Sequence, residues 1–450
     1  MVREDRVGYG GHPLACRRGT TDMPRYAAPR VLLLLSALFG CAMVQAKGLD
    51  SIEQRIVRAA DARQAQSLEL LAEVVNIPSA TENHAGVRKV GDVFARELAA
   101  LGFEIRWVDQ RAEVGRSGHL VAVHRGTRGK RLLLIGHLDT VLEGESFRRD
   151  GNRAYGTGIA DMKGGNVIIV EALRALRASG ALKDRQVIVV FTGDEEDPGQ
   201  PTTMSRQALV EAAGQSDVAL GFEGASPGVA VVGRRGIGSW RMQVAGRQAH
   251  SSGIFREEQG YGAIFEAARI LDRFREELRE PNLTYNPSVI LGGTTVNYDD
   301  AQKGGTAVGK TNVSAREVRV AGDLRFLTAE QYAAATERMA AIVAGHLPQT
   351  SATIEFDLEY PSMAPTDGNH RLLAMLDGVS RDLGAGPVVA QDPGLRGAGD
   401  ISFVCSARLA CLDGLGALGD EAHAPGEYLE VDAMAIQVRR AALLFHRLMH

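Results

Sequence analysis

The chain has 450 residues, of which 45% are apolar, with 51 basic and 55 acidic side chains and a net charge of −4. That length exceeds one ordinary core and predicts two or three domains. The composition excludes a mainly disordered or fibrous chain, and the interspersed charges exclude a nucleic-acid or polybasic membrane surface, which leaves a small molecule as the expected partner.

Residues 1–46 read as a leader. Val31 to Ala46 is apolar but shorter than the roughly 20 residues of a spanning helix. Arg25 and Arg30 supply the positive flank, and Val44-Gln45-Ala46 offers small residues for cleavage before Lys47, so the expected location is periplasmic or secreted. Met23 is an alternative start. Leu38-Phe39-Gly40-Cys41 resembles a lipoprotein cleavage box, but Phe39 fits it poorly and plain export is preferred. Removal of the leader leaves Cys405 and Cys411. Export permits a bridge between them, though two buried thiols are the expectation.

Apolar residues at helical spacing predict one helix from Ile52 to Val75, ended by Pro78, and a second from Val87 to Leu101, stopped by Gly102. Strands follow at Glu104 to Val108, Leu120 to His124 and Arg131 to Ile135. A helix from Asn166 to Ser179, a strand from Gln186 to Thr192, a helix near Ser205 to Ala213 and a strand from Asp217 to Phe222 continue the alternation. Short apolar strands alternating with helices predict an α/β domain with a mostly parallel sheet covered on both faces.

After Gly233 the texture changes. A strand at Gly238 to Ala245, a helix at Gly260 to Leu278, strands around Val289 to Val296 and Val318 to Phe326, a helix at Ala329 to Ala344 and a strand at Ala352 to Glu359 give a β-α-β-β-α-β order. This predicts a ferredoxin-like α+β insert over 236–360, separating the first part (47–235) and second part (361–450) of the α/β domain. Asn297 to Thr311 reads as a long polar loop. The second part carries a helix at Asn369 to Leu383, a strand at Ala410 to Leu412 and a helix at Val431 to Met449.

Gly193-Asp-Glu-Glu-Asp197 puts four carboxylates just past a strand, and an acidic surface turn is its ordinary meaning. Two other strands also end in metal-ligand residue types, His137 and Glu223, and the carboxyl ends of parallel strands are where open α/β sheets bind ligands. With Asp161 and His423, these residues match the N and O donors that zinc and similar ions prefer. Asp139, two residues from His137, suits the partner of a metal-bound imidazole. Gly156 and Gly158 resemble part of a dinucleotide loop, but no apolar strand precedes them. Gly224-Ala-Ser-Pro-Gly228 matches a serine-hydrolase elbow, yet Pro227 lacks the N–H that the oxyanion needs.

Five ordered blocks carry a resemblance that runs from about Leu68 to the C-terminus: Gly136-His-Leu-Asp-Thr-Val141, Gly156-Thr-Gly-Ile-Ala-Asp-Met-Lys-Gly-Gly165, Gly193 to Asp197, Gln248-Ala-His-Ser-Ser252 and Ala422-His-Ala-Pro-Gly-Glu427. The chain resembles the two-zinc metallopeptidases that include aminoacylase, succinyl-diaminopimelate desuccinylase, acetylornithine deacetylase and the glutamate carboxypeptidases. The resemblance implies that His137 and Glu223 hold one metal, Glu196 and His423 the other, and that Asp161 bridges both. It makes Glu195 the general base, Asp139 the group that orients His137, and His250 a residue that reaches a partner subunit's site within a homodimer. Arg325, Asn312 and Gly397 resemble substrate-contacting positions. Zinc is the first expectation, with cobalt and manganese as other ions.

Charge supports this set independently: two divalent cations, three ligand carboxylates and one hydroxide sum to zero, leaving Glu195 free to take a proton. The expected activity is hydrolysis of a peptide or N-acyl amino acid with a free carboxylate, glutamate-carboxypeptidase-like. An N-acyl amino acid deacylase is the second reading, and a non-catalytic metal- or peptide-binding protein is the alternative from another class.

Overall fold

The computed structural model describes residues 48–450 apart from residue 407. The leader, Met23 and Cys41 lie outside the described residues. Among those residues no helix is long and apolar enough to cross a membrane.

A six-stranded sheet is ordered Glu104–Gln110, Arg116–His124, Val187–Thr192, Leu132–His137, Val218–Gly221, Ala410–Leu412. The first two strands pair antiparallel and the second is antiparallel to the third, whereas the last four run parallel. Side-chain alternation along these strands serves two cores. Leu132, Leu134, Val187, Val189 and Phe191 pack on one face under the helices Gly164–Ser179 and Val431–Met449. Leu133, Ile135, Ile188 and Val190 pack on the other, against Ala208, Leu209 and Ala212 of the helix Gln207–Ala213. Burial on both faces accounts for the near-continuous apolar runs, since a polar residue at either parity would lose its water.

A separate antiparallel sheet is ordered Thr284–Gly293, Glu317–Phe326, Gly236–Gly246, Thr350–Tyr360. Its two central strands alternate: Trp240, Met242, Val244, Val318, Val320 and Leu324 face one core with the helices Gly262–Glu277 and Ala329–Ala344. The β-α-β-β-α-β order is therefore present, and with the parallel sheet it makes the mixed α/β fold expected.

Three expectations need correction. The first helix is two, Ser51–Asp61 and Gln64–Val75, because the chain turns at Ala62 and Arg63 although the apolar spacing runs through. The polar stretch 297–311 is not a plain loop: Thr295–Asp299 and Gly304–Val308 form a two-stranded hairpin, held by backbone pairing rather than by burial. Cys405 and Cys411 are bonded, not free; their Cα atoms lie 5.9 Å apart, inside the reach of a disulfide.

Candidate metal centre

Parallel pairing sets His137 opposite Thr192 and Ile135 opposite Gly221, so three strand ends open at one edge of the sheet. There His137, the turn 193–197 and Glu223 meet. Asp161 comes from the preceding turn Ile159–Lys163, and His423 from a loop near the C-terminus. Gly158 adopts φ +73°, and a Cβ on it would sit 2.3 Å from the Thr140 methyl, so this turn admits only glycine at that point.

Asp161 lies between the two imidazoles. Its Oδ1 is 3.2 Å from His137 Nε2 and its Oδ2 is 3.1 Å from His423 Nε2. Glu223 approaches His137 Nε2 at 3.8 Å, and Glu196 approaches His423 Nε2 at 3.3 Å. Two ligand groups result, His137-Asp161-Glu223 and Asp161-Glu196-His423, with donor atoms in each within 4.8 Å of one another. A third set, His137-Glu195-Glu196, places Glu195 at the same cluster.

The electrostatics describe a site short of cations. Burial and the neighbouring Asp161 push Glu223 up to about 8. Burial and Glu223 raise Glu195 well above the ordinary carboxylate range. Hydrogen bonds that it donates to Asp161 and Glu196 raise His423 to about 10. Burial works against a charged His137, yet hydrogen bonds to Asp139 and Asp161 hold it well above its ordinary value. The three glutamates hold protons more tightly than usual and both histidines gain them, whereas Asp161, despite its burial, is held well below its ordinary value by hydrogen bonds from His137 and His423; protons thus stand where metal cations fit. Glu196 Oε1 is buried with no hydrogen-bond partner, a donor atom available to an ion. The residues therefore fit two divalent metals of the zinc type.

The supports are also ordered. Asp139 is fully buried and accepts the backbone N–H groups of Glu195 at 3.0 Å and Glu196 at 3.1 Å, as well as the Thr81 hydroxyl at 2.7 Å. His137 Nδ1 faces the Asp139 backbone oxygen at 3.0 Å and its carboxylate at 3.4 Å. One aspartate thus holds both the imidazole and the acidic turn. That turn follows directly on the strand Val187–Thr192. Asp194 is buried against Arg206 at 2.6 Å, which also meets Asp400 at 2.6 Å, whereas Asp197 sits at the surface beside Arg116.

A cleft of about 530 Å³ opens beside the cluster, and Arg325 and Gly397 line it with Glu195, Glu196 and Glu223. His250 and Asn312 do not line it. They lie next to each other instead: Ser251 N–H donates to the Asn312 carbonyl at 2.9 Å, and His250 bridges Val313. Four contributors went unassigned at the sequence level: Glu427, Arg234, Arg396 and Tyr360. Glu427 accepts the N–H groups of Gly158, Ala160 and Asp161 at 2.6, 2.8 and 3.0 Å, and the Tyr360 hydroxyl donates to the Glu195 carbonyl at 3.1 Å. Glu427 stands four residues after His423 in Ala422-His-Ala-Pro-Gly-Glu427, the only local hint of its place; the others have none.

With this geometry the comparisons agree. Residues 133–447 match the model of Peptidase family M20/M25/M40, and the chain belongs to that family. It is a metallopeptidase or amidohydrolase with a peptide-like substrate. It is similar to carboxypeptidase G2 of a Pseudomonas species, 25% identical over 421 residues that cover 91% of this chain and 96% of that one. It is also similar to succinyl-diaminopimelate desuccinylase of Gluconacetobacter diazotrophicus, 27% identical, covering 84% and 96%. Among solved structures, aminopeptidase PepT from Bacillus cereus shares the fold with a TM-score of 0.69 at 19% identity, covering 86% of this chain and 99% of that one.

Proposed function

We propose that this chain is an exported, homodimeric two-metal exopeptidase that cleaves the amide bond of a peptide or N-acyl amino acid carrying a free carboxylate, in the manner of a glutamate carboxypeptidase. The observation that carries this reading is Glu195: a half-buried carboxylate at the cluster, fixed through its backbone by Asp139, and not needed by either ligand group built on Asp161. A binding protein needs the ligands but not this spare base.

His137 and Glu223 would hold one ion, Glu196 and His423 the other, with Asp161 shared; zinc suits these donors best, and cobalt or manganese also fit. Bound there, the ions would acidify the attacking water and polarise the scissile carbonyl. Glu195 takes the proton from that water and delivers it to the departing amine, and its raised affinity for a proton suits the task. Arg325 grips the substrate carboxylate with Gly397 as a further contact, while Asn312, beside His250, would reach a partner's cleft. His250 stands away from its own chain's cleft, as expected of a residue that steadies the oxyanion in a partner's cleft, and residues 236–360 would supply the lid and dimer contact. Similarity to the Gluconacetobacter desuccinylase keeps an N-acyl amino acid deacylase as the second reading.

Glu195→Gln should retain two divalent ions per chain while kcat falls about 10²- to 10⁴-fold. Undiminished turnover removes Glu195 as base. Mixing Glu195→Gln with His250→Ala protein should restore part of the activity, and confirmed mixed dimers without recovery argue against a shared site. Assays on C-terminal and N-acylated amino acids separate peptidase from deacylase.

A further inference from the structure

Glu195 is held by both polar groups of its backbone, and one of the two holds comes from the antiparallel sheet of the insert. Its N–H donates to Asp139 at 3.0 Å, and its carbonyl accepts the Tyr360 hydroxyl at 3.1 Å. Tyr360 ends the strand Thr350–Tyr360, 165 positions beyond Glu195 in the chain, and is 9% exposed. Its ring packs on Phe403 with centroids 4.9 Å apart. The catalytic steps proposed so far leave it unused.

A break in register aims this side chain. Along the antiparallel pair with Gly236–Gly246, Asp357 stands opposite Ser239 and Leu358 opposite Gly238, but it is Tyr360, not Glu359, that stands opposite Ile237. Glu359 is the extra residue of a β-bulge, a device that re-aims a side chain. Residues paired across two strands point to the same face, so unbroken pairing would set Glu359 beside Ile237 and turn Tyr360 to the helix-covered side with Gly236. The bulge puts Tyr360 on the open face instead. There Ile237 also pairs with Arg325 of the next strand, so Arg325, Ile237 and Tyr360 form one row across three strands, and all three line the cleft. Neighbouring strands about 4.8 Å apart place the ends of that row roughly 10 Å apart.

The row is anchored where the chain enters and leaves the insert. Arg234 and Met363 exchange two backbone hydrogen bonds of 3.0 Å, and Arg234 Nη1 donates to the carbonyls of Gly397 and Ala398 at 3.0 and 3.1 Å. One stiff row therefore carries both the guanidinium assigned to the substrate carboxylate and the hydroxyl that holds Glu195.

Resting on the amide-hydrolase reading, we infer that Tyr360 is a positioning residue for Glu195: with Asp139 it fixes the backbone of the base, and through the shared row it sets the Glu195 carboxylate relative to a substrate held by Arg325. A displacement of about 1 Å at a reacting group can cost 10²-fold in rate, so a single tether of this kind matters.

Tyr360→Phe removes only the hydroxyl and keeps the ring on Phe403. With N-acetyl-L-glutamate, N-acetyl-L-methionine and L-alanyl-L-glutamate as probes, the metal-loaded variant should keep two ions per chain and the wild-type KM while kcat falls about 10-fold. In Glu195→Gln protein, where the base is already gone, the same substitution should cost less than about 2-fold more. An unchanged kcat overturns the inference. So does a raised KM with kcat kept, which makes Tyr360 a substrate contact, or loss of an ion, which makes it a support of the Glu196 ligand. A full 10-fold loss in the Glu195→Gln background places its effect elsewhere and also overturns it.

Hydrogen exchange reads the tether without substrate. In Tyr360→Phe the amides of residues 194–197 should exchange about 5-fold or more faster, with those of Val187–Thr192 at the wild-type rate. Faster exchange there, with none of the three probes hydrolysed by wild type, sinks the hydrolase reading and keeps the tether. Unchanged exchange in a protein that hydrolyses a probe does the reverse, and unchanged exchange with no turnover rejects both.

Discussion

The carboxylate of Glu427 accepts the backbone N–H of Asp161 at 3.0 Å, tying the shared ligand of the metal centre to a residue 266 positions later in the chain. Gly158 and Ala160 donate to the same side chain, so one buried carboxylate satisfies three backbone donors of the turn. Replacement by alanine leaves those donors buried and unpaired. Glu427→Ala should weaken metal binding or activity about 10- to 100-fold and cost about 1–3 kcal/mol of stability. Competitive metal titration and urea unfolding would measure both; unchanged metal affinity would show that the turn holds Asp161 without help.

Metal and pH should act together. His423 has its proton affinity raised from 6.5 to about 10, and Glu223 from 4.5 to about 8. Both folded-state values exceed the unfolded ones, so the metal-free folded state binds more protons than the unfolded chain across the window where they overlap. Its stability must then fall as pH rises from 6.5 to 8. Divalent ions replace those protons, so the loaded protein should lose little stability over the same range. Thermal unfolding with zinc and with chelator decides this, and parallel pH profiles would contradict it.

Arg206 is completely buried between Asp194 and Asp400. Arg206→Met removes one cation and strands two carboxylates, and should cost about 3–5 kcal/mol in urea unfolding. Asp194 directly precedes Glu195, so turnover should drop as well. A loss below about 1 kcal/mol would mean that Ser205, Gly199 and Thr192, which already bond to the two aspartates, suffice to hold them.

The bond between Cys405 and Cys411 closes a loop of sequence separation 6. So short a loop gives a modest entropic gain, and reduction should lower stability by roughly 2 kcal/mol. Thiol titration of the unreduced, unfolded protein should find no free thiol from this pair; finding two would remove the bridge.

Much of the fold was legible because burial wrote it into the sequence. The runs at 132–137 and 187–192 are apolar at every position up to Gly136 and Thr192, since each parity meets a different core. The metal-ligand residue types stood out because they follow such runs directly. The break between Ser51–Asp61 and Gln64–Val75 was hidden, because Ile56, Leu70, Leu71 and Val74 join one core across it. The hairpin 295–308 left only the short alternation Thr295-Val-Asn-Tyr-Asp299, because its residues are exposed or half-buried and no core selects a longer one. Glu427 and Arg234 act on backbone atoms far away in the chain, which no local spacing records. The cysteine pair was undecided for another reason: spacing does not say which way two thiols point.

Asp161 touches His137 through one oxygen and His423 through the other, while Glu427 shapes the turn that presents it. During synthesis the first strands can form long before the segment with His423 and Glu427 leaves the ribosome. A half-made chain therefore has no finished bridging ligand to offer an ion. Metal capture is a closing event in the making of this protein, and loss of the final helix Val431–Met449, which shares a core with the helix Gly164–Ser179 directly after Asp161, would be felt at the bridging ligand.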